Sequence, residues 1–118
     1  MPDGGGYVHS YEIGAPARVV HVSGQIPVGP DGSVPEGFAA QCRQVWANVA
    51  DVLSHHGMGL SDLVKVTTFL SDRAYRTENS AIRREVLGEH TPALTVIITG
   101  IYDEAWLLEI EAIAAREA

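Results

Sequence analysis

A single cysteine, Cys42, among 118 residues cannot close a disulfide within the chain, so nothing ties the fold to an oxidising compartment. Positive charge is scarce as well. Eight Lys and Arg against fifteen Asp and Glu leave a formal charge of −7 and a pI near 5.0. Such a field repels phosphate and removes the attraction that dominates nucleic-acid affinity, so nucleic acid is not an expected partner. No apolar run approaches the roughly 20 residues of a membrane helix, and Met1-Pro2-Asp3 followed by three glycines has neither the basic start nor the apolar stretch of a signal peptide. The expectation is a cytoplasmic protein without a membrane partner. Metal-ligand spacing is missing too. His9, His21, His55, His56 and His90 form no HxxxH, HExxH or Cys/His pattern, so neither a metal nor another cofactor is expected.

What is present reads as one domain over residues 1–118, with 46% hydrophobic content behind a flexible glycine-rich leader at residues 1–6. Tyr7 to Ile13 and Arg18 to Ser23 are rich in Tyr, Val and His around Gly14-Ala15-Pro16-Ala17, the signal of a hairpin. Ile26 to Val34 mixes apolar pairs with a Pro30-Asp31-Gly32 turn. Pro35-Glu36 then opens a helix on which Phe38, Cys42, Val45, Trp46, Val49, Val52, Leu53 and His56 share one face, and Gly57 ends it. Leu63 to Leu70 fits a strand, Asp72 to about His90 a second helix, and Leu94 to Thr99 with Trp106 to Ala114 two further strands. The order predicts an α+β fold: a six-stranded mixed sheet with two helices packed on one face.

Alternate strand residues point to opposite faces. Val64, Val66, Thr68 and Leu70 oppose Leu63, Lys65, Thr67 and Phe69, and Val96 and Ile98 oppose Thr95, Ile97 and Thr99, so neither side of these strands looks like open surface. Two helices cover one side, and self-association would cover the other.

The chemistry-bearing candidates are few. Glu109 and Glu111 lie two apart in the last strand and project to one face, with Leu108, Ile110, Ala112 and Ala114 on the other. Drawn into an interface, such a carboxylate suits a general acid or base; left in water, both are merely solvated or salt-bridged edge charges. Ser23 precedes Gly24, a glycine that lets the backbone approach another group closely, although serines at strand ends commonly satisfy a turn. No Ser-His-Asp arrangement is visible. Cys42 reads as a buried core thiol. His55-His56 reads as a helix terminus, and Arg73, Arg76, Arg83 and Arg84 as a solvated helix face paired with Glu78 and Glu85.

Ser23-Gly24-Gln25-Ile26-Pro27 together with Leu108-Glu109-Ile110-Glu111-Ala112-Ile113-Ala114 resembles the Rid family, also called YjgF or L-PSP proteins, and the likeness runs from about Tyr7 to Arg116. The resemblance implies a chorismate mutase-like fold and a homotrimer with sheet faces inward. It also implies clefts between subunits in which many members hydrolyse reactive imines and enamines. By the same resemblance Glu109 orients the hydrolytic water, Glu111 is structural, and Tyr7, Ser23, Asn79, Leu94, Thr95 and Val96 line the pocket. In Pro92-Ala93-Leu94-Thr95, leucine stands where deaminating members carry a carboxylate-binding arginine, which points away from ordinary 2-imino acids and toward an uncharged or aromatic ligand near Leu94, Val96, Tyr102 and Trp106. Arg18 is a candidate for a replacement cation. The alternatives are a non-catalytic trimer that binds a metabolite or protein and, third, the endoribonuclease activity ascribed to some members.

Overall fold

The computed structural model describes residues 6–117, and the leader expected at 1–6 lies, apart from Gly6, outside them. Four strands form the sheet: β1 (Pro16–Gln25), β2 (Leu63–Leu70), β3 (Ala93–Ile98) and β4 (Leu108–Glu117), in the order β1-β4-β2-β3. β4 runs antiparallel to both neighbours, and β2 pairs in parallel with β3. The helices are α1 (Phe38–Ser54) and α2 (Arg76–Leu87). Α+β layering is therefore correct.

The six-stranded sheet is not. Of the segment from Tyr7 to Ile13, only Val8 pairs with the sheet, as an isolated parallel bridge to Ala93, where its N–H donates to the Pro92 carbonyl at 3.1 Å. No hairpin with β1 forms. Pro27 and Pro30 remove two donors from the next expected strand, and Gly29 and Ser33 close a turn there instead, with Gly29 N–H 2.9 Å from the Ser33 carbonyl. Trp106 donates to the Asp103 carbonyl in a turn, so the last strand begins later, at Leu108.

Helix α1 starts two residues after Glu36, because Gly37 takes φ 87°, a left-handed conformation that the helix cannot absorb. Its apolar face buries Phe38, Cys42, Val45, Trp46, Val49 and Leu53 against Val20, Val22, Val66, Leu70, Leu108, Ile110, Ala112 and Ala114 of the sheet. The alternation read from sequence holds for these strand residues, each of which lies on the face beneath the helices, but it fails at Leu63, which the sequence placed with Lys65 on the opposite face and which a register shift between the two turns into the core. Burial pushes the Cys42 thiol up to about 12, which makes it a core residue and not a nucleophile. Helix α2 is preceded by a 3-10 turn at Arg73–Tyr75, capped by Asp72, and ends at Gly88 with φ 60°.

The arginine stripe is solvated at Arg73, Arg76 and Arg84, as its sequence implied, but not at Arg83. Arg83 is buried, and the Glu85 carboxylate is held by Arg43 of α1, so this pair joins the two helices. Beyond Ser54 the His55 ring stands 3.5 Å from the Asp51 carboxylate, and the His56 carbonyl accepts a hydrogen bond from Arg18. Arg18 is thereby committed to the end of the sheet where it pairs with Arg116 of β4, several residues along the strands from Glu109.

Asp62 receives Arg116 on both oxygens, at 3.1 and 3.2 Å, and the Gly59 N–H at 2.9 Å. The Arg116 hydrogen bonds, followed by the Gly59 bond, hold its carboxyl below the ordinary carboxylate value. A depressed folded-state pKa adds stability that is present above the unfolded value and is lost as pH falls through the folded one. Asp62→Asn should therefore lower the denaturation midpoint at pH 7, and the gap to the natural chain should close on acidification below about pH 4. Denaturant unfolding at several pH values measures this, and a gap that persists at low pH would refute it.

Candidate active site

Glu109 sits on β4 opposite Phe69 of β2, on the face away from the helices, and is half-buried. Its position depends on a bulge in β1. Val22 pairs with Ala112 and Gln25 with Ile110, so Ser23 and Gly24 together face the single residue Glu111. The bulge brings the bare Cα of Gly24 under the Glu109 side chain. A Cβ built on Gly24 would lie 1.8 Å from the Glu109 Oε2 and 2.9 Å from its carboxyl carbon, so any larger residue there would push the carboxylate out of this position. The close approach expected at Gly24 is thus made to the carboxylate singled out at Glu109. Ser23 is exposed, and its carbonyl accepts from the Gln25 amide at 3.0 Å.

The other expected residues are divided by the sheet. Thr95 shares the open face with Ser23 and Glu109, and its hydroxyl accepts from the Lys65 ammonium at 2.6 Å. Leu94 and Val96 point the opposite way, in register with Val66 and Thr68 on the helix side, where Leu94 packs against the core. Asn79 is buried on α2. Tyr7 lies near that helix, close enough for its hydroxyl to act on the charge of Arg83, and its ring is 6.0 Å from His9. Within one chain, then, Ser23, Thr95 and Glu109 stand on one side of the sheet and Tyr7, Asn79, Leu94 and Val96 on the other. The aromatic pair Tyr102 and Trp106, with rings 6.4 Å apart, occupies the loop before β4, and Tyr102 is 95% exposed.

One positioning residue escaped the sequence reading. Gln41 is 4% exposed; its amide donates to the Pro35 carbonyl at 3.1 Å and the Ala105 carbonyl at 3.0 Å, and its oxygen accepts from Leu107 N–H at 2.8 Å. It therefore fixes the loop that delivers Leu108 and Glu109 into β4. A glutamine on an apolar helix face looks like an interruption in the pattern, and only its distant backbone partners reveal the role. Among the described residues no three His, Cys, Asp or Glu side chains gather as a metal-binding group.

Comparison with known proteins places this geometry. A family profile described as "Endoribonuclease L-PSP" matches residues 3–116. The 2-iminobutanoate/2-iminopropanoate deaminase of Escherichia coli K12 is 34% identical over 116 residues, 95% of this chain and 88% of that protein. A RutC family protein of Pyrococcus abyssi is 31% identical over 115 residues, 96% of this chain and 88% of that one. A crystal structure of a conserved Rid family protein from Yersinia pestis aligns with TM-score 0.83 at 27% identity, covering 94% of this chain and 87% of that one. With matches across almost its whole length, the chain belongs to the Rid (YjgF, L-PSP) family.

Proposed function

We propose that the protein is a homotrimeric enzyme that hydrolyses, or moves a proton on, a small imine, enamine or related electrophilic carbonyl compound in clefts between subunits. The observation that carries this reading is the seat of Glu109: a carboxylate fixed over a glycine by a β-bulge, on a sheet face no helix covers. A carboxylate so placed can accept a proton from water while the water attacks an electrophilic carbon, and return it to the departing nitrogen. Resemblance to the family assigns that role to Glu109. The relative named as an iminobutanoate and iminopropanoate deaminase supports the reaction class.

The division of the expected pocket residues across the sheet supports an intersubunit cleft. A second copy could bring its Tyr7, Asn79 and Leu94 side against the first copy's Ser23 and Glu109. Both faces of β3 need such cover, since Val96, Ile97 and Ile98 are all exposed on an edge strand whose outer side, among the described residues, is bridged by Val8 alone.

Leu94 sets the substrate. In members that deaminate imino acids an arginine at this place holds the carboxylate in bidentate fashion, whereas Leu94 offers only an apolar side chain that packs on the core. Arg18 cannot replace it from within the same chain, being held by the His56 carbonyl at the far end of β1. The substrate therefore lacks a carboxylate. The same leucine favours a second reading, a non-catalytic trimer whose pocket binds an apolar metabolite. The RNase activity in the family profile's description finds little support in a basic stripe whose Arg83 is buried and whose neighbour Glu85 is paired.

Once a substrate is in hand, Glu109→Gln should abolish turnover, whereas Glu111→Gln should have the smaller effect; the reverse ranking would overturn the assignment. Gly24→Ala should match the loss at Glu109 because its methyl group displaces the carboxylate. If that variant keeps full activity, the contact has no catalytic meaning.

Imines made from ordinary amino acids by an amino-acid oxidase, followed by semicarbazide competition, test the role of Leu94. A missing charge-assisted contact should slow their hydrolysis by roughly 10- to 150-fold relative to arginine-bearing relatives, the equivalent of about 1.5 to 3 kcal/mol. Efficient hydrolysis by the natural chain would show that an uncharged substrate is the wrong inference.

A further inference from the structure

Two features beyond the end of the sheet stand outside the Glu109 cleft. One is Tyr102, at 95% exposure. A lone exposed aromatic needs no explanation, but this one continues a run in which Val96, Ile97 and Ile98 of the edge strand are exposed as well. Its loop is also firmly held. Gln41 binds the Ala105 carbonyl and the Leu107 N–H, the Leu107 carbonyl accepts from Ser71 N–H at 3.0 Å, and the Asp103 carboxylate accepts from Ala105 N–H at 2.8 Å. The backbone that carries the ring is thus ordered in advance, so less entropy is lost when the ring meets a partner.

The other is a crevice of about 300 Å³ between the segment that follows β1 and the flank of α1. Ile26, Val28, Pro30 and Val52 give it apolar walls, and Asp51 borders it. Its shape is fixed by Asn48, whose amide donates to the Ile26 and Val28 carbonyls at 2.9 and 3.1 Å while its oxygen accepts from Gln44 at 2.9 Å. With Asn48 so engaged, the charged acceptor left at the crevice is the Asp51 carboxylate, exposed and 3.5 Å from the His55 ring. The volume stands at the lower limit of ligand pockets, roughly 300 to 1,000 Å³, and suits a single aromatic side chain. Register sets crevice and ring at one height on opposite edges of the sheet. Gln25 pairs with Ile110, Ile110 with Thr68 and Thr68 with Val96, so the ends of β1 and β3 share a row, and both strands run the same way. The crevice opens just past Gln25, and Tyr102 follows just past Ile98. Within one chain β4 and β2 lie between them, three spacings of about 4.8 Å each.

We infer that Tyr102 of one copy seats in the crevice of the next, with its ring against Val28, Pro30 and Val52 and its hydroxyl donating to Asp51. The inference rests on the trimer proposed above and names the contact that closes it. In a ring of three copies each β3 edge meets the β1 edge of its neighbour, a heterologous contact that needs a knob on one edge and a hole on the other. A tyrosine suits that place because it offers a large apolar ring and a hydroxyl that finds a partner when buried, and such aromatics anchor interfaces. Tyr102 is thereby spent on assembly and not on a ligand.

Cross-linking of the full chain tests the contact. Tyr102→Cys and Val28→Cys are combined in one chain and oxidised; Cys42, buried in the core, stays out of the reaction. A non-reducing gel should show covalent dimers and trimers and nothing larger, and neither single variant should cross-link. If light scattering finds a trimer but no disulfide joins two chains, this contact is wrong and the trimer stands; a monomer mass removes both. Tyr102→Ala gives a second readout, because a side chain so exposed contributes little to the fold of its own chain. It should raise the concentration at which the assembly dissociates by at least about tenfold, with Tyr102→Phe falling between it and the natural chain. Dissociation unchanged by Tyr102→Ala would overturn the inference.

Discussion

Both helices pack on one face of the sheet, and among the described residues no third element covers the other. Everything distinctive in the molecule follows from that shortage. On the covered side, α1 buries a continuous set of Val, Leu, Ile and Trp side chains, and there the buried strand residues are apolar apart from Thr68. On the uncovered side the same strands carry a mixture that neither water nor a hydrocarbon core would select: Val19 and Ile97 exposed beside His21, Lys65, Glu109 and Glu111. Such a surface is stable when another copy covers its apolar ends and its polar middle keeps water or a ligand. The proposed trimer and the proposed cleft are two consequences of one unpaired face.

Much of this was legible in the sequence because it rests on short-range rules. The 3.6-residue spacing from Phe38 to Leu53 gave the helix and its buried face, and the alternation in Leu63 to Leu70 gave the strand and its two sides. Gly24 was legible for another reason: a glycine beside a strand end predicts a close approach, and the group approached is the Glu109 carboxylate. What failed was pairing. Tyr7 to Ile13 and Ile26 to Val34 have strand-like composition, but a strand exists only where a neighbour supplies a ladder, and proline donors missing at 27 and 30 leave none to supply. The pairing expected for Glu85 failed similarly, because its partner is Arg43 on another helix, 42 residues away. Gln41 shows the limit most plainly, since its role is set entirely by carbonyls and an amide at Pro35, Ala105 and Leu107.

Family membership narrows the chemistry without choosing the substrate. The carboxylate and its glycine are in place, which keeps water activation available. Leu94, at the place where the family resemblance leads one to expect a guanidinium, packs against the core and offers no charge to an anionic substrate. On the proposed reading, Glu109 bears on the reaction and Leu94 on the specificity.

The central claim is that the site is completed by a second copy, and hybrid assemblies test it most directly. Glu109→Gln and Asn79→Ala chains, each inactive alone, can be unfolded, mixed in equal amounts and refolded together. If each cleft takes Glu109 from one copy and Asn79 from the next, random mixing in a closed ring restores about a quarter of the natural activity. If both residues served a site within a single chain, every site in the mixture would carry a lesion. Activity no higher than that of the separate variants would contradict the account.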